Sequence, residues 1–341
     1  MNKIRYAFAR FERWIVARAR AHPWLVPVLV PATLWSMRGE AKAVAAGRAL
    51  NLGGAQSSRL TNARRAIHRV EKGLIMRPRR LGFGSDYIPG LIRTLSELAE
   101  AGSLPTRDRQ WGVDVLQQFF DAHDEAGIEW VDRAHLKFIN AFASVDRGDQ
   151  HPFSRASSPR SAVSASELAV LLEARRSVRW FLPDPVPSDE IDRAIELAGT
   201  APSACNRQSF RFHTVTGASS SRAVLETVGG TRGFASQVPA VAIVVADLAG
   251  YEHAFDRHAP FIDAALASMS MLLALEVSGL STCCINWPDK RDQYEAIRRI
   301  VPLGPHEQIV MLIAIGYADP EGMVPRSTKR DLDYLQARGV D

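Results

Sequence analysis

Arg175-Arg176-Ser177-Val178-Arg179 and, about two dozen residues on, Ala201-Pro202-Ser203-Ala204-Cys205-Asn206-Arg207-Gln208 are the stretches that decide how this chain reads. The first packs three guanidiniums and a hydroxyl into five residues, a donor set suited to a phosphate held by bidentate, charge-assisted hydrogen bonds. The second sets the amides of Asn206 and Gln208 just ahead of a strand-like stretch, Phe210-Arg211-Phe212-His213-Thr214-Val215. Amides in that place suit the donor and acceptor edge of a planar heterocycle. Together the two runs point to a bound, phosphorylated ring cofactor, and hence to an enzyme.

Outward from these runs the pattern mixes α and β. Ser164 followed by Glu167 reads as a capping box opening a helix through Leu168, Leu171 and Leu172, which ends near Arg175–Ser177. Ser188 is expected to cap a second helix, with Asp189 and Glu190 in its first turn complementing the dipole. Strands are expected at 210–216, 238–246, 281–286 and 308–316, with a long apolar helix over 261–278 stopped by Gly279. Asp263 and Glu276 within that helix argue for a buried protein helix rather than a membrane span.

The 341 residues suffice for two domains. Residues 1–160 hold 25 Lys+Arg against 15 Asp+Glu, the remainder 17 against 22, so the front half carries +10 and the back half −5 of the net +5. Any polyanion or membrane surface should therefore meet the front half. The three cysteines, Cys205, Cys283 and Cys284, are odd in number and two are adjacent. They give no disulfide framework and no zinc-ligand spacing, and free thiols fit a reducing cytoplasm.

Residues 1–22 read as a basic amphipathic helix, with Ile4, Phe8, Phe11 and Ile15 at helical spacing among Lys3, Arg5, Arg10, Arg13, Arg18 and Arg20. Such a helix either lies on anionic lipid as a peripheral membrane contact or packs on the protein with a solvated basic face. The apolar residues 24–34 fall short of the roughly 20 that a spanning helix needs. Helical periodicity follows at 59–76, 86–101, 111–126 and 129–144. His68, Glu71 and Lys72 share one helical face there, as a phosphate site or as a salt-bridged surface. Aromatic interleaving of the kind single-stranded nucleic acid requires is lacking, and nucleic acid is not an expected partner. Residues 147–166, rich in Ser, Pro and Gly, form the expected linker. The division is a basic, mostly helical domain over 1–146, the linker, and a cofactor-binding domain over 167–341.

Residues 167–335 resemble the FMN-dependent nitroreductase family. The resemblance rests on an ordered series: Arg-Arg-Ser-Val-Arg, Pro-Val-Pro at 185–187, Ala-Pro-Ser-Ala-Cys-Asn-Arg-Gln, an Asp-bearing apolar helix, Gly-Leu-Ser-Thr-Cys-Cys-Ile at 279–285, Ile-Gly-Tyr at 315–317, and Lys-Arg at 329–330. It implies an α+β nitroreductase-like fold, preceded here by a helical N-terminal domain, and a homodimer with one FMN at each of two subunit interfaces. By that resemblance Arg175, Arg176 and Ser177 hold the phosphate with Arg179 close by. Ser203, Asn206 and Gln208 lie in the loop at the polar edge of the isoalloxazine. The backbone of Cys284, Ile285 and Asn286 passes flavin N5, and Lys329 and Arg330 reach the phosphate. Ser209-Phe210 stands where many members have Pro-Trp, and the stretch 217–260 that shapes the substrate pocket is short.

The chemistry implied is ping-pong hydride transfer from NAD(P)H through the flavin to a small-molecule acceptor, with Arg207 a candidate for positive charge at the pyrimidine edge. No strand is followed by Gly-x-Gly-x-x-Gly, so a Rossmann nicotinamide site is not indicated. Each residue also has a plainer role. Arginines suit a helix C-terminus without a ligand, Asn206 suits a turn, and Cys283 and Cys284 suit a buried strand. A second reading is a scaffold or binding protein with this fold but no reductase activity; its run His68-Arg69-Val70-Glu71-Lys72-Gly73-Leu74 resembles a feature of longer bacterial nitroreductase-like proteins, a resemblance that implies a link to polysaccharide synthesis at a membrane.

Overall fold

The computed structural model describes residues 26–337 together with 14, 18 and 22. The expected amphipathic helix over 1–22 therefore lies almost wholly outside the described residues. Six helices come first: α1 (Val26–Ser36), α2 (Arg38–Leu52), α3 (Gln56–Leu74), α4 (Ile88–Glu100), α5 (Thr106–Asp121) and α6 (Glu129–Phe142). Then follow α7 (Ala165–Ala174), α8 (Ser188–Ala198), β1 (Phe210–Thr216), α9 (Ala218–Leu225), β2 (Ala240–Asp247), α10 (Ala259–Val277), β3 (Ser281–Asn286), α11 (Arg291–Ile297), β4 (Glu307–Gly316) and α12 (Leu332–Leu335).

Helices α3 to α6 bury their apolar stripes in one another. Ile67 and Val70 of α3, Leu91 and Leu95 of α4, Phe119 and Phe120 of α5, and Phe138 of α6 form one core. This is the amphipathic logic of a small bundle, each helix giving one face to the centre.

The four strands form one antiparallel sheet in the order β1-β2-β4-β3. The central strand β2 is buried on both faces, so it reads as a continuous apolar run rather than an alternating one. Its Val241, Ile243 and Val245 join the core beneath α9 and α11, while Ala240, Ala242 and Val244 join the core beneath α8 and α10. One bulge interrupts the β2–β4 register at Val244/Val245.

Helix α10 takes the expected place behind the sheet. Ala264, Ala267, Met271 and Leu275 are buried against it, and Asp263 is buried with them. The segment Ala254–Val277 is long and apolar enough to cross a membrane by composition. Here one side of it lies in the core, while Ile262, Leu266, Met269 and Val277 on the other side are exposed. Helix α7 likewise leaves Leu168, Val170 and Leu172 exposed.

The helical region docks on the sheet domain through α2 and α3. Asn51 Nδ2 and Ser58 Oγ both donate to the Ala249 carbonyl, at 2.7 and 2.9 Å. Gly47 is required at this contact, because a Cβ there would sit 2.6 Å from the backbone carbon of Leu248. The expected linker has no regular structure beyond a short turn at Arg155–Ser157. Its first residues are nonetheless tied to α5, where the Asp114 carboxylate accepts from the backbone N–H groups of Gly148 and Gln150.

Candidate functional site

Helix α7 begins with the expected capping box. Ser164 Oγ accepts from Glu167 N, and the Glu167 carboxylate accepts from Ser164 N at 2.8 Å. The helix stops at Ala174, and Arg175 leaves it in extended conformation. The run Arg175–Arg179 then lies alongside β3. Ser177 bridges Thr282 in parallel fashion, and Val178 N donates to Thr282 O at 3.0 Å. Burial of Val178 in the sheet core fixes the register, leaving Arg175, Arg176 and Ser177 half-buried and Arg179 exposed.

A cleft of about 410 Å³ opens beside this run, lined by Arg179, Gly229, Cys284, Ile285, Asn286 and Lys290 among others. Among the described residues, none of Arg175, Arg176, Arg179, Lys290, Lys329 and Arg330 is within ion-pair distance of a carboxylate. Glu276 on α10 is near enough to feel Arg175; burial raises its carboxyl and the guanidinium opposes that rise. Arg176 has a protein task as well. Its Nη2 donates to the Pro325 carbonyl at 2.6 Å and to that of Arg326, which ties the segment leading to Lys329 and Arg330 against the run. Cys283 is buried, and burial pushes its thiol up against the pull of Arg179 and Arg175. It is a small apolar residue of the strand.

The second predicted group lies in the loop between α8 and β1. The expected cap of α8 is displaced by one residue: Pro187 occupies the cap position and Ser188 makes no capping bond. Proline's fixed φ suits the entry to the helix, and the first-turn acids Asp189 and Glu190 suffice to complement the dipole. After α8 the backbone takes left-handed angles at Cys205 (φ 53°), Asn206 (φ 52°) and Gln208 (φ 51°). Three such residues in four, none of them glycine, persist only where surrounding contacts impose them. Here the contacts are dense. Ser203 Oγ accepts from Gln208 N at 3.1 Å, and Ala204 N donates to Asp263 Oδ1 at 3.0 Å. Gln208 Nε2 donates to the Gly199 carbonyl at 2.6 Å.

Arg207 is buried, and its Nε meets no hydrogen-bond partner among the described residues. It is 7% exposed, and its guanidinium lies 4.4 Å from the Tyr251 ring centre. Asp263, whose carboxyl is raised by burial, faces this group and accepts from the Tyr251 hydroxyl at 3.1 Å. Arg207 thus offsets a buried acid beneath the loop. Gln208 is also engaged, since both ends of its amide bond to protein. Asn206 differs: among the described residues its side-chain amide makes no hydrogen bond, and it is half-buried at the loop surface.

One contact had no counterpart in the sequence reading. Arg64 of α3 reaches the loop from the helical region. Its Nε donates to the Asn206 carbonyl at 3.0 Å, its Nη2 to Gln208 Oε1 at 3.0 Å, and its Nη1 pairs with Asp108. The shared face of His68 and Glu71 is real: His68 Nδ1 lies 3.1 Å from Glu71 Oε2, and Trp111 Nε1 donates to Glu71 Oε1 at 2.9 Å. Lys72 is exposed and outside this cluster.

The structure brings Arg175, Arg176, Ser177 and Arg179 together with Cys284, Ile285 and Asn286, and draws the 329–330 tail towards them. It does not bring Ser203, Asn206 and Gln208 to the same place within one chain. Ser177 bridges Thr282, which pairs with Ile315, which pairs with Ala240, which pairs with Thr216. Thr216 is the far end of β1 from the loop that enters at Phe210. Four strand spacings separate the two groups by roughly 19 Å across the sheet, and the length of β1 adds roughly 20 Å along it. They occupy opposite corners.

Comparison with known proteins accounts for the sheet domain. Residues 172–228 and 220–317 match the model of the nitroreductase family. Iodotyrosine deiodinase 1 of Pongo abelii is 22% identical over 262 residues, covering 67% of this chain and 85% of that protein. A protein named NADH dehydrogenase from Thermus thermophilus is 29% identical over 181 residues, covering 43% of this chain and 85% of its own length. Among solved structures, an FMN-dependent nitroreductase from Clostridium difficile aligns with a TM-score of 0.43 and 22% identity, over 51% of this chain and 99% of that one. Residues 172–317 thus match a nitroreductase-family domain, and the chain carries besides a helical N-terminal region that the family model does not match.

Proposed function

We propose that this protein is an FMN-dependent NAD(P)H oxidoreductase of nitroreductase type, acting as a homodimer on a small-molecule acceptor. The observation that carries the reading is the basic run Arg175–Arg179, which meets no carboxylate within ion-pair distance among the described residues and brings Arg179 to the cleft of Cys284–Asn286. Guanidiniums without a carboxylate partner, beside a free serine hydroxyl, form a donor set that matches a phosphate monoester. Arg175, Ser177 and Arg179 would hold the phosphate, and Arg176 would hold the tail that carries Lys329 and Arg330. The backbone at Ile285 and Asn286 would face the ring, with Asn206 reading its polar edge. When bound, FMN supplies a two-electron centre that takes hydride from NAD(P)H and returns it to an acceptor at the same face. The chain's own part is to place that ring, shield one face with β3 and leave the cleft open to small molecules.

The opposite corners support the homodimer. One chain cannot offer both the arginine run and the Ser203–Gln208 loop to one ring, whereas two copies can. Ile262, Leu266, Met269 and Val277 on α10, with Leu168, Val170 and Leu172 on α7, supply the apolar surface that a second copy would cover. The charged residues 1–22 lead into α1, whose Leu34 and Trp35 are exposed, and this end is the one we assign to peripheral contact with an anionic membrane.

The test is the absorption spectrum of the purified protein, followed by anaerobic titration with NADH and NADPH. A flavin spectrum that bleaches with either reductant is expected. A colourless protein that takes up no added FMN would overturn the reading and favour a scaffold of the same fold. Co-sedimentation with anionic vesicles, lost on removal of residues 1–25, tests the membrane contact.

A further inference from the structure

The N-terminal helical region lies outside the nitroreductase match, yet α3 packs on the loop of the candidate site and hydrogen-bonds to it at one point among the described residues. That point is Arg64, a residue of α3 whose side chain is 16% exposed. Its guanidinium grips the loop twice, once at the Asn206 carbonyl and once at Gln208 Oε1, both at 3.0 Å. These are two of the three residues that hold left-handed backbone angles. A left-handed non-glycine residue is strained and reverts unless its neighbours hold it. Around the same loop, Ser203 and Asp263 bond backbone N–H groups at Gln208 and Ala204, but the grip on the Asn206 carbonyl comes from Arg64.

Arg64 is itself braced. Asp108 pairs with its Nη1, and the Trp111 ring lies 5.2 Å beneath the guanidinium. Trp111 is fixed in turn by Glu71, which His68 also meets. The planar fork of an arginine, bonded to two loop oxygens and one carboxylate, fixes its partners in a way a lysine cannot.

We infer that Arg64 is a positioning residue that holds the Ser203–Gln208 loop in its ring-reading conformation, which makes the helical region a working part of the cofactor site. The inference rests on the FMN reading for the identity of the ring. Gln208, with both ends of its amide engaged by Arg64 and Gly199, serves the loop, while the neighbouring Asn206 amide is left to face the ligand. Separation of the two regions would release the loop.

The test uses the full-length protein with Arg64→Ala, Arg64→Lys and Arg65→Ala. FMN affinity is read from quenching of flavin fluorescence. The loop is read separately, from hydrogen exchange at the Arg207 and Gln208 amides in flavin-free protein. Arg64→Ala should weaken FMN at least tenfold and speed exchange at both amides. Arg64→Lys should recover part of each change, because one ammonium cannot span both loop oxygens. Arg65→Ala should leave both readings at wild-type values, since the Arg65 side chain bonds nothing among the described residues. Wild-type affinity and exchange in Arg64→Ala would overturn the inference, and should that variant not fold, the same result in Arg64→Lys would do so. If wild-type protein takes up no FMN, exchange still decides: faster exchange in the variant supports the role of Arg64 and places the failure on the cofactor reading, while unchanged exchange overturns the inference.

Discussion

At the Arg175–Arg179 corner of the sheet the guanidiniums of Arg175 and Arg179 meet no carboxylate, and the Ser177 hydroxyl bonds nothing among the described residues. At the Ser203–Gln208 corner the Ser203 hydroxyl and both ends of the Gln208 amide are bound to protein, while the Asn206 amide and the buried Arg207 Nε have no hydrogen-bond partner among the described residues. On the proposed FMN reading the first corner is a donor set for an anion, and the second is a held shape that leaves the Asn206 amide and the Arg207 guanidinium to a ligand. The difference teaches that the two halves of a binding site can be built on opposite principles. Charge attracts and anchors at one, and strain held by neighbours orients at the other.

The contrast can be broken most forcefully at the first corner. Arg175→Ala combined with Arg179→Ala removes two charge-assisted partners, each worth about 1.5–3 kcal/mol, so FMN affinity should fall about a hundredfold or more while the melting temperature barely moves. Calorimetric titration and a thermal melt of the same preparation check both halves. At the second corner the balance reverses. Gln208→Ala leaves the Gly199 carbonyl and an Arg64 donor unpaired, and should lower folding stability by about 1–3 kcal/mol in a urea titration. Asn206→Ala, two positions away, should spare stability and weaken FMN by roughly tenfold, or about 1.4 kcal/mol.

The smallest effect concerns the strand between the corners. Burial raises the Cys283 thiol, so its thiolate is scarce at neutral pH and its reaction with iodoacetamide should be slow, rising only as the pH climbs above the ordinary thiol range. Peptide mapping after timed alkylation should find Cys283 modified last of the three cysteines. Rapid labelling of Cys283 at pH 7 would show the strand to be open.

What the sequence disclosed tracks how local each signal is. All four strands and the long helix α10 lie within about two residues of their expected ends, because apolar period and a terminating Gly279 are written in adjacent residues. The capping box at Ser164 was legible for the same reason. The cap of α8 slipped by one residue because proline and serine both suit a helix start. The neighbours of Arg207, Tyr251 and Asp263, were hidden, since they come from elements far along the chain. Arg64 was invisible as a site residue: 142 positions separate it from Asn206, and nothing in a charged helical run marks which arginine turns inward. The opposite-corner placement was equally hidden, because strand order is not carried by any one motif.

The central claim is that one FMN pocket draws its arginine run from one copy and its loop from another. Co-expression of two differently tagged chains tests it, one bearing Arg175→Ala with Arg179→Ala, the other bearing Asn206→Ala with Arg64→Ala. Each homodimer alone should bind FMN weakly. If the halves come from different copies, the purified mixed dimer regains one intact site and binds one FMN per two chains with wild-type affinity. A mixed dimer with no tight site would contradict the account, because it would mean that each chain builds its pocket from its own residues.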